Sequence, residues 1–90
     1  MLKKGVPQVS VIIPAYNAEK YIEECVLSVL GQSYQNLEVI VVNDGSSDST
    51  LSILLNMQKR FHSMAVFSKY NEGVSAARNF GISKAHGKYV

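Results

Sequence analysis

Between Leu37 and Thr50 the sequence runs LEVIVVNDGSSDST. Its first part, Leu37 to Val42, is almost continuously apolar and rich in β-branched residues, so a strand there has no polar face to turn toward water. Strands of this kind are buried on both sides, as in parallel sheets covered by helices. A chain of 90 residues makes at most one small domain, which buries only about 60–65% of its unfolded surface. Most of the remaining chain must therefore serve to cover that strand. The apolar run then stops on Asn43, Asp44 and Gly45 and a series of small polar residues, which needs a separate explanation.

The flanking segments supply the cover. Gln8 to Ile13 (QVSVII) has the composition of a short strand, expected to end where Pro14 removes a ladder donor. Asn17 is expected to cap a helix over Ala18 to Leu30, in which Ile22, Cys25, Val26, Val29 and Leu30 recur at helical spacing. That stripe puts Cys25 in the core, and Gly31 closes the helix. Ser46 or Ser47 is expected to cap a second helix, with Asp48 in its first turn and Leu51, Leu54, Leu55 and Phe61 on its inner side. Met64 to Ser68 reads as a third strand and Gly73 to His86 as a third helix ended by Gly87. Lys88 to Val90 reads as the opening of a fourth strand. Strands and helices alternate with short connections, which predicts an α/β fold: three layers, a mostly parallel sheet with helices on both faces. A chain that stops as a strand begins is expected to be part of a longer domain.

Bulk properties exclude several classes. The net charge of +2 and the absence of basic runs longer than Lys3-Lys4 or Lys59-Arg60 argue against a nucleic-acid partner. A single cysteine cannot form an intrachain disulfide and suits a reducing compartment. The apolar run near the N-terminus is too short for a signal peptide or a membrane span, so a soluble intracellular domain is expected. His62 and His86 have no partners at ligand spacing, and no zinc site is expected. Ser10, Ser28 and Ser75 lack the G-x-S-x-G context of a nucleophile elbow.

Ligands of open parallel sheets bind outside the carboxyl ends of the strands. Loops leaving that edge here are PAYNAE after the first strand, NDGSSDS after the second and YNEGVSAARN around the start of the third helix. None carries the G-x-G-x-x-G of a dinucleotide fold or the G-x-x-x-x-G-K-[ST] of a P-loop. Asp44 can project its carboxylate into the crevice, where an acceptor-only group suits an imide N–H or a ribose hydroxyl and repels phosphate. Equally, Asp44-Gly45 can be a turn signal and nothing more. Asn71 and Gly73 precede a helix whose N-terminal N–H groups can receive an anion. Arg78 can pair with a diphosphate or with a surface acid.

In order, P-A-Y-N at Pro14, N-D-G-S-x-D-x-T from Asn43, and N-x-G-x-x-x-A-R-N from Asn71 closely resemble the N-terminal half of glycosyltransferase family 2. That resemblance covers nearly all of residues 8 to 90. It implies the Rossmann-like, nucleotide-binding half of a GT-A fold and an inverting transferase. The donor is a nucleotide-sugar, expected to be a UDP-sugar, and the acceptor a glycan or lipid-linked hydroxyl compound, with no nucleic acid. By resemblance Pro14, Ala15 and Tyr16 line the nucleoside pocket, and Asp44 accepts from the base. Asn71, Gly73 and Arg78 face the base or the diphosphate. Glu19 matches a position near the nucleotide, or is simply a first-turn acid. The family's D-x-D metal motif, which holds Mn²⁺ or Mg²⁺, falls after GKYV and therefore beyond Val90, as does the catalytic base. No catalytic residue and no metal ligand are thus expected within residues 1 to 90, and the setting is cytoplasmic or the inner face of a membrane. A sugar-phosphate nucleotidyltransferase would need a glycine-rich loop after the first strand, which PAYNAE is not. The alternative is a non-catalytic nucleotide-binding half-domain, or one that self-associates through an exposed sheet edge.

Overall fold

The computed structural model describes residues 9–31 and 37–85. The elements run β1 (Val9–Ala15), α1 (Ile22–Leu30), β2 (Leu37–Asp44), α2 (Thr50–Gln58), β3 (Met64–Lys69) and α3 (Val74–Lys84). Among the described residues the sheet has three strands in the order β1-β2-β3, all parallel. The expected His86, Gly87 and fourth strand lie outside the described residues.

β2 is the hub, as its composition requires. Successive side chains along it alternate between two clusters, one on each face of the sheet. Val39 and Val41 join Ile22 and Val26 of α1 and Leu54 and Met57 of α2. Ile40 and Val42 join Ala77 of α3, with Ile12, Phe67 and Phe80 packed against them. None of these four β2 side chains is more than 1% exposed, and each such burial is worth about 1.5–3 kcal/mol relative to exposure. The three-layer arrangement is therefore the one the sequence predicts, with α1 and α2 on one face and α3 on the other.

Each helix presents a narrow stripe. On α2, Thr50, Leu54 and Met57 are buried, following the i, i+4, i+7 rule. On α3 the buried residues are Ala77 and Gly81, small enough to bring the helix close to the sheet. A Cβ at Gly81 would fall 2.5 Å from Ile12 Cγ2 and 3.2 Å from Val42 Cγ2. Phe67 and Phe80 meet edge to face at 5.7 Å, and the Lys84 ammonium lies 5.7 Å and 5.4 Å from their ring centres.

Several local expectations are corrected. Pro14 does not end β1. It pairs in register with Val42, because β1 is an outer strand of the described sheet, where proline is tolerated. β2 continues past Val42, its expected end, through Asn43 to Asp44, its last residue. Helix α1 starts at Ile22, not Ala18, and only Ile22 and Val26 are buried on it, so Cys25 is exposed rather than in the core. A nine-residue helix laid on a sheet buries less than the full set of periodic positions. Leu55 is likewise 43% exposed, while Phe61, beyond the end of α2, does pack against the cluster. Gly31 caps α1 in the right-handed region, with φ of −79°.

Candidate functional site

The carboxyl ends of the three parallel strands deliver the three loops to one edge. The first two loops, residues 16–21 and 45–49, are stitched together through backbone amides. The Asn17 amide donates to Ser46 Oγ at 2.9 Å and the Ser47 amide to Asn17 Oδ1 at 2.8 Å. The Ala18 amide donates to Thr50 Oγ1 at 2.8 Å. The Glu19 amide donates to Asp48 Oδ2 at 3.3 Å, and the Ser49 amide returns a bond to Glu19 Oε1 at 2.9 Å. Asn17 is thus no cap of α1: its φ is +47° and its side chain serves the neighbouring loop. Nor do Ser46 and Ser47 cap α2, whose N-cap is Ser49.

Asp48 precedes α2 instead of lying in its first turn. Its Oδ1 accepts from the Thr50 amide at 2.9 Å and also from the Thr50 hydroxyl, which leaves that hydroxyl oxygen to accept from Ala18. Partial desolvation opposes ionisation of the Asp48 carboxyl. The bonds from Thr50 and from the Glu19 amide outweigh it and hold the pKa below the ordinary 3.8. Thr50 is fully buried and has both partners its hydroxyl needs.

Asp44 ties the second loop to the third, residues 70–73. Its carboxylate is 5% exposed. Oδ1 accepts from the Glu72 amide and Oδ2 from the Gly73 amide, each at 3.0 Å. The amides that Asp44 holds are thus those just before α3, at Glu72 and at the N-cap Gly73. The Lys69 ammonium lies 3.9 Å from Asp44 Oδ1 and also pairs with Glu72. Gly45, at φ +70°, runs so close beneath Asn71 that a Cβ there would lie 2.6 Å from the Asn71 nitrogen. Only glycine fits that contact.

Between the first and third loops lies a cavity of about 220 Å³ lined by Pro14, Ala15, Tyr16, Asp44, Asn71, Gly73 and Val74. The structure thus brings together six of the residues singled out in the sequence. It does not bring in Glu19, whose carboxylate is engaged by Ser49, or Arg78, which is exposed on α3 outside the lining. Sequence reasoning missed Val74, which is 55% exposed and forms a wall, and the Thr50 junction. The signal for Thr50 was its place in an i, i+4, i+7 stripe with Leu54 and Met57. Among the described residues no group of three or more His, Cys, Asp or Glu is placed to share a metal ion, and no helix is long and apolar enough to cross a membrane.

Fold and crevice together define an open parallel α/β sheet with a small pocket at the carboxyl edge of its strands. The chain belongs to glycosyl transferase family 2, whose family model matches residues 10–90. An uncharacterised glycosyltransferase of Haemophilus influenzae is 44% identical over 87 residues, a match covering 96% of this chain and 35% of that protein. Among solved structures, the mannosyltransferase PcManGT from Pyrobaculum calidifontis, in complex with GDP-Man and Mn²⁺, superposes with a TM-score of 0.80 at 29% identity. That match covers 91% of this chain and 25% of the mannosyltransferase. S. aureus TarS 1–349 in complex with UDP gives a TM-score of 0.80 at 33% identity, over 92% of this chain and 26% of TarS. The fold is therefore that of the GT-A transferases, and the chain spans about a quarter to a third of the length of these relatives.

Proposed function

We propose that this chain carries the nucleoside end of the donor site of a glycosyltransferase, one that moves a sugar from a UDP-sugar to an acceptor hydroxyl with inversion. The observation that carries the reading is the cavity at the strands' carboxyl edge, where Tyr16, Asp44 and Asn71 converge. Its volume of about 220 Å³ is below the roughly 300–1,000 Å³ of pockets that take whole drug-sized ligands. It has room for one ring of a nucleotide-sugar, which favours the base. Tyr16 offers that ring a flat face. Each Asp44 oxygen has two lone-pair directions, so one already holding a loop amide can still accept from a uracil imide. Asn71 and Arg78 would meet the base or the diphosphate. Glu19 would act on the donor through the loops it joins.

The complexes of PcManGT with GDP-Man and Mn²⁺ and of TarS with UDP support a nucleotide donor and a divalent cation for this protein as well. The residues that would hold that cation are not among the described ones, where no group of three or more His, Cys, Asp or Glu is placed to share a metal ion. Metal ligands, the catalytic base and the acceptor pocket, for a glycan or lipid-linked acceptor, would come from residues after Val90. The reaction would take place in the cytoplasm or at the inner face of a membrane.

Calorimetric titration of the chain with UDP, with and without Mn²⁺, tests the assignment. Weak binding insensitive to Mn²⁺ is expected, and Tyr16→Ala should weaken it about tenfold, since base–aromatic stacking is worth about 1–3 kcal/mol. No UDP binding at millimolar concentration, together with a tight dimer in sedimentation, would favour a self-associating module instead.

A further inference from the structure

Asn17 has no role in the donor-site reading, yet among the described residues it alone combines a side chain with positive φ, +47°. L-residues avoid that region; asparagine tolerates it better than most, though less well than glycine. Such a conformation persists only where its surroundings hold it. Here they do so from both sides. Asn17 Oδ1 accepts from the Ser47 amide at 2.8 Å and the Ser47 hydroxyl at 3.4 Å, while the Asn17 amide donates to Ser46 Oγ at 2.9 Å. The chain is also anchored before and after, by Ala15 at 3% exposure and Ala18 at 6%. Between those anchors stand only Asn17 and Tyr16, and Tyr16 is 52% exposed and lines the cavity.

We infer that Asn17 is a positioning residue for the donor nucleoside: by holding its own backbone left-handed against the Ser46-Ser47 loop, it aims the Tyr16 ring at the cavity. This rests on the donor-site reading. An alanine at position 17 loses the Ser47 bonds and relaxes out of the left-handed region, so ligand binding must restore the turn before Tyr16 can meet the base. A glycine loses the same bonds but keeps the conformation accessible.

The test is UDP titration of the chain and its Asn17→Ala and Asn17→Gly variants, each in the native and the Tyr16→Ala background, with thermal unfolding of all six proteins. Asn17→Ala should weaken UDP binding about tenfold, the left-handed penalty expressed as affinity, and Asn17→Gly should recover most of that loss. In the Tyr16→Ala background Asn17→Ala should leave affinity unchanged, while its effect on Tm is the same in both backgrounds. Native-like UDP binding by Asn17→Ala overturns the inference, as does an equal loss in both backgrounds. If the unmodified chain binds no UDP, the donor-site reading fails by itself. Positioning is then decided by the Tyr16 ring-proton shifts of the unliganded proteins. Shifts moved by Asn17→Ala and restored by Asn17→Gly support it, and shifts unmoved by Asn17→Ala refute it.

Discussion

Replacing Asp44 tests whether its carboxylate is part of the frame as well as of the pocket. Hydrogen bonds to a charged group are worth about 1.5–3 kcal/mol each, and Asp44 accepts two from loop amides, giving a gross loss of about 3–6 kcal/mol in Asp44→Ala. Two effects reduce it. Glu72 and Gly73 are exposed residues whose amides can turn to water, and removal of a carboxylate only 5% exposed ends its desolvation penalty. A net destabilisation of about 2 kcal/mol is expected, a large part of the about 5–15 kcal/mol of a typical domain. Asp44→Asn is the sharper variant. It is isosteric and keeps one acceptor, but its NH₂ would face an N–H donor that Asp44 now satisfies. It should therefore destabilise about as much as alanine, by about 2 kcal/mol. Urea unfolding supplies the free energies, and amide exchange at Glu72 and Gly73 supplies the location. If both variants unfold within about 0.5 kcal/mol of the parent, the range of surface substitutions, with those amides still protected, the account of Asp44 as a latch is wrong.

Gly81→Ala should destabilise by about 1 kcal/mol: helix propensity favours alanine by about 1 kcal/mol, but crowding Ile12 and Val42 across 2.5 Å and 3.2 Å costs about 1–3 kcal/mol. A more stable variant in urea unfolding would show that α3 has room to move away from the sheet. Because the folded Asp48 pKa is lowered below 3.8, its stabilisation is complete above the unfolded value and is lost as pH falls through the lower folded value. Asp48→Asn should accordingly flatten the acid limb of the stability–pH curve below about pH 5, and an unchanged limb in acid unfolding would exclude Asp48 as a contributor.

Layer architecture was legible because it is written in local pattern. The Leu37–Val42 run announces a strand with two buried faces, and the observed split of Val39 and Val41 from Ile40 and Val42 is what that run requires. The loops that line the pocket could also be anticipated, since strand ends in a parallel sheet converge on one edge, while Pro14, Ala15 and Tyr16 individually follow only from the family resemblance. What local pattern could not supply was the stitching between loops. An asparagine before a helical segment reads as a cap, whereas the Asn17 side chain serves the amide and hydroxyl of Ser47, 30 positions away. Ser46 and Ser47 were misread for the same reason, their partner being Asn17 in the first loop, whereas Asp48 does serve the start of α2, from one residue before the N-cap, through the Thr50 amide. Cys25 and Leu55 failed for another. Periodicity names every apolar position, but a helix lying on a sheet covers only those directly beneath it.

The stitching also bears on where specificity can reside. Asp44 holds the Glu72 and Gly73 amides, Gly45 lies in contact with Asn71, and the first loop is bound to the second through Thr50, Asp48, Ser46 and Ser47. The loops that line the cavity are thus fixed to one another largely through main-chain groups, which leaves them little freedom for independent adjustment. Side chains able to change without disturbing that frame are the exposed ones on the rim, Tyr16, Asn71 and Val74. If the proposed donor-site reading holds, Asp44 both latches a loop and accepts from the base and so resists substitution for two reasons at once, and differences in base preference would be added to its contact by these rim positions. Loss of nucleotide binding in an Asp44 variant is therefore ambiguous by itself, whereas the same loss at Tyr16, with urea stability intact, reports on recognition.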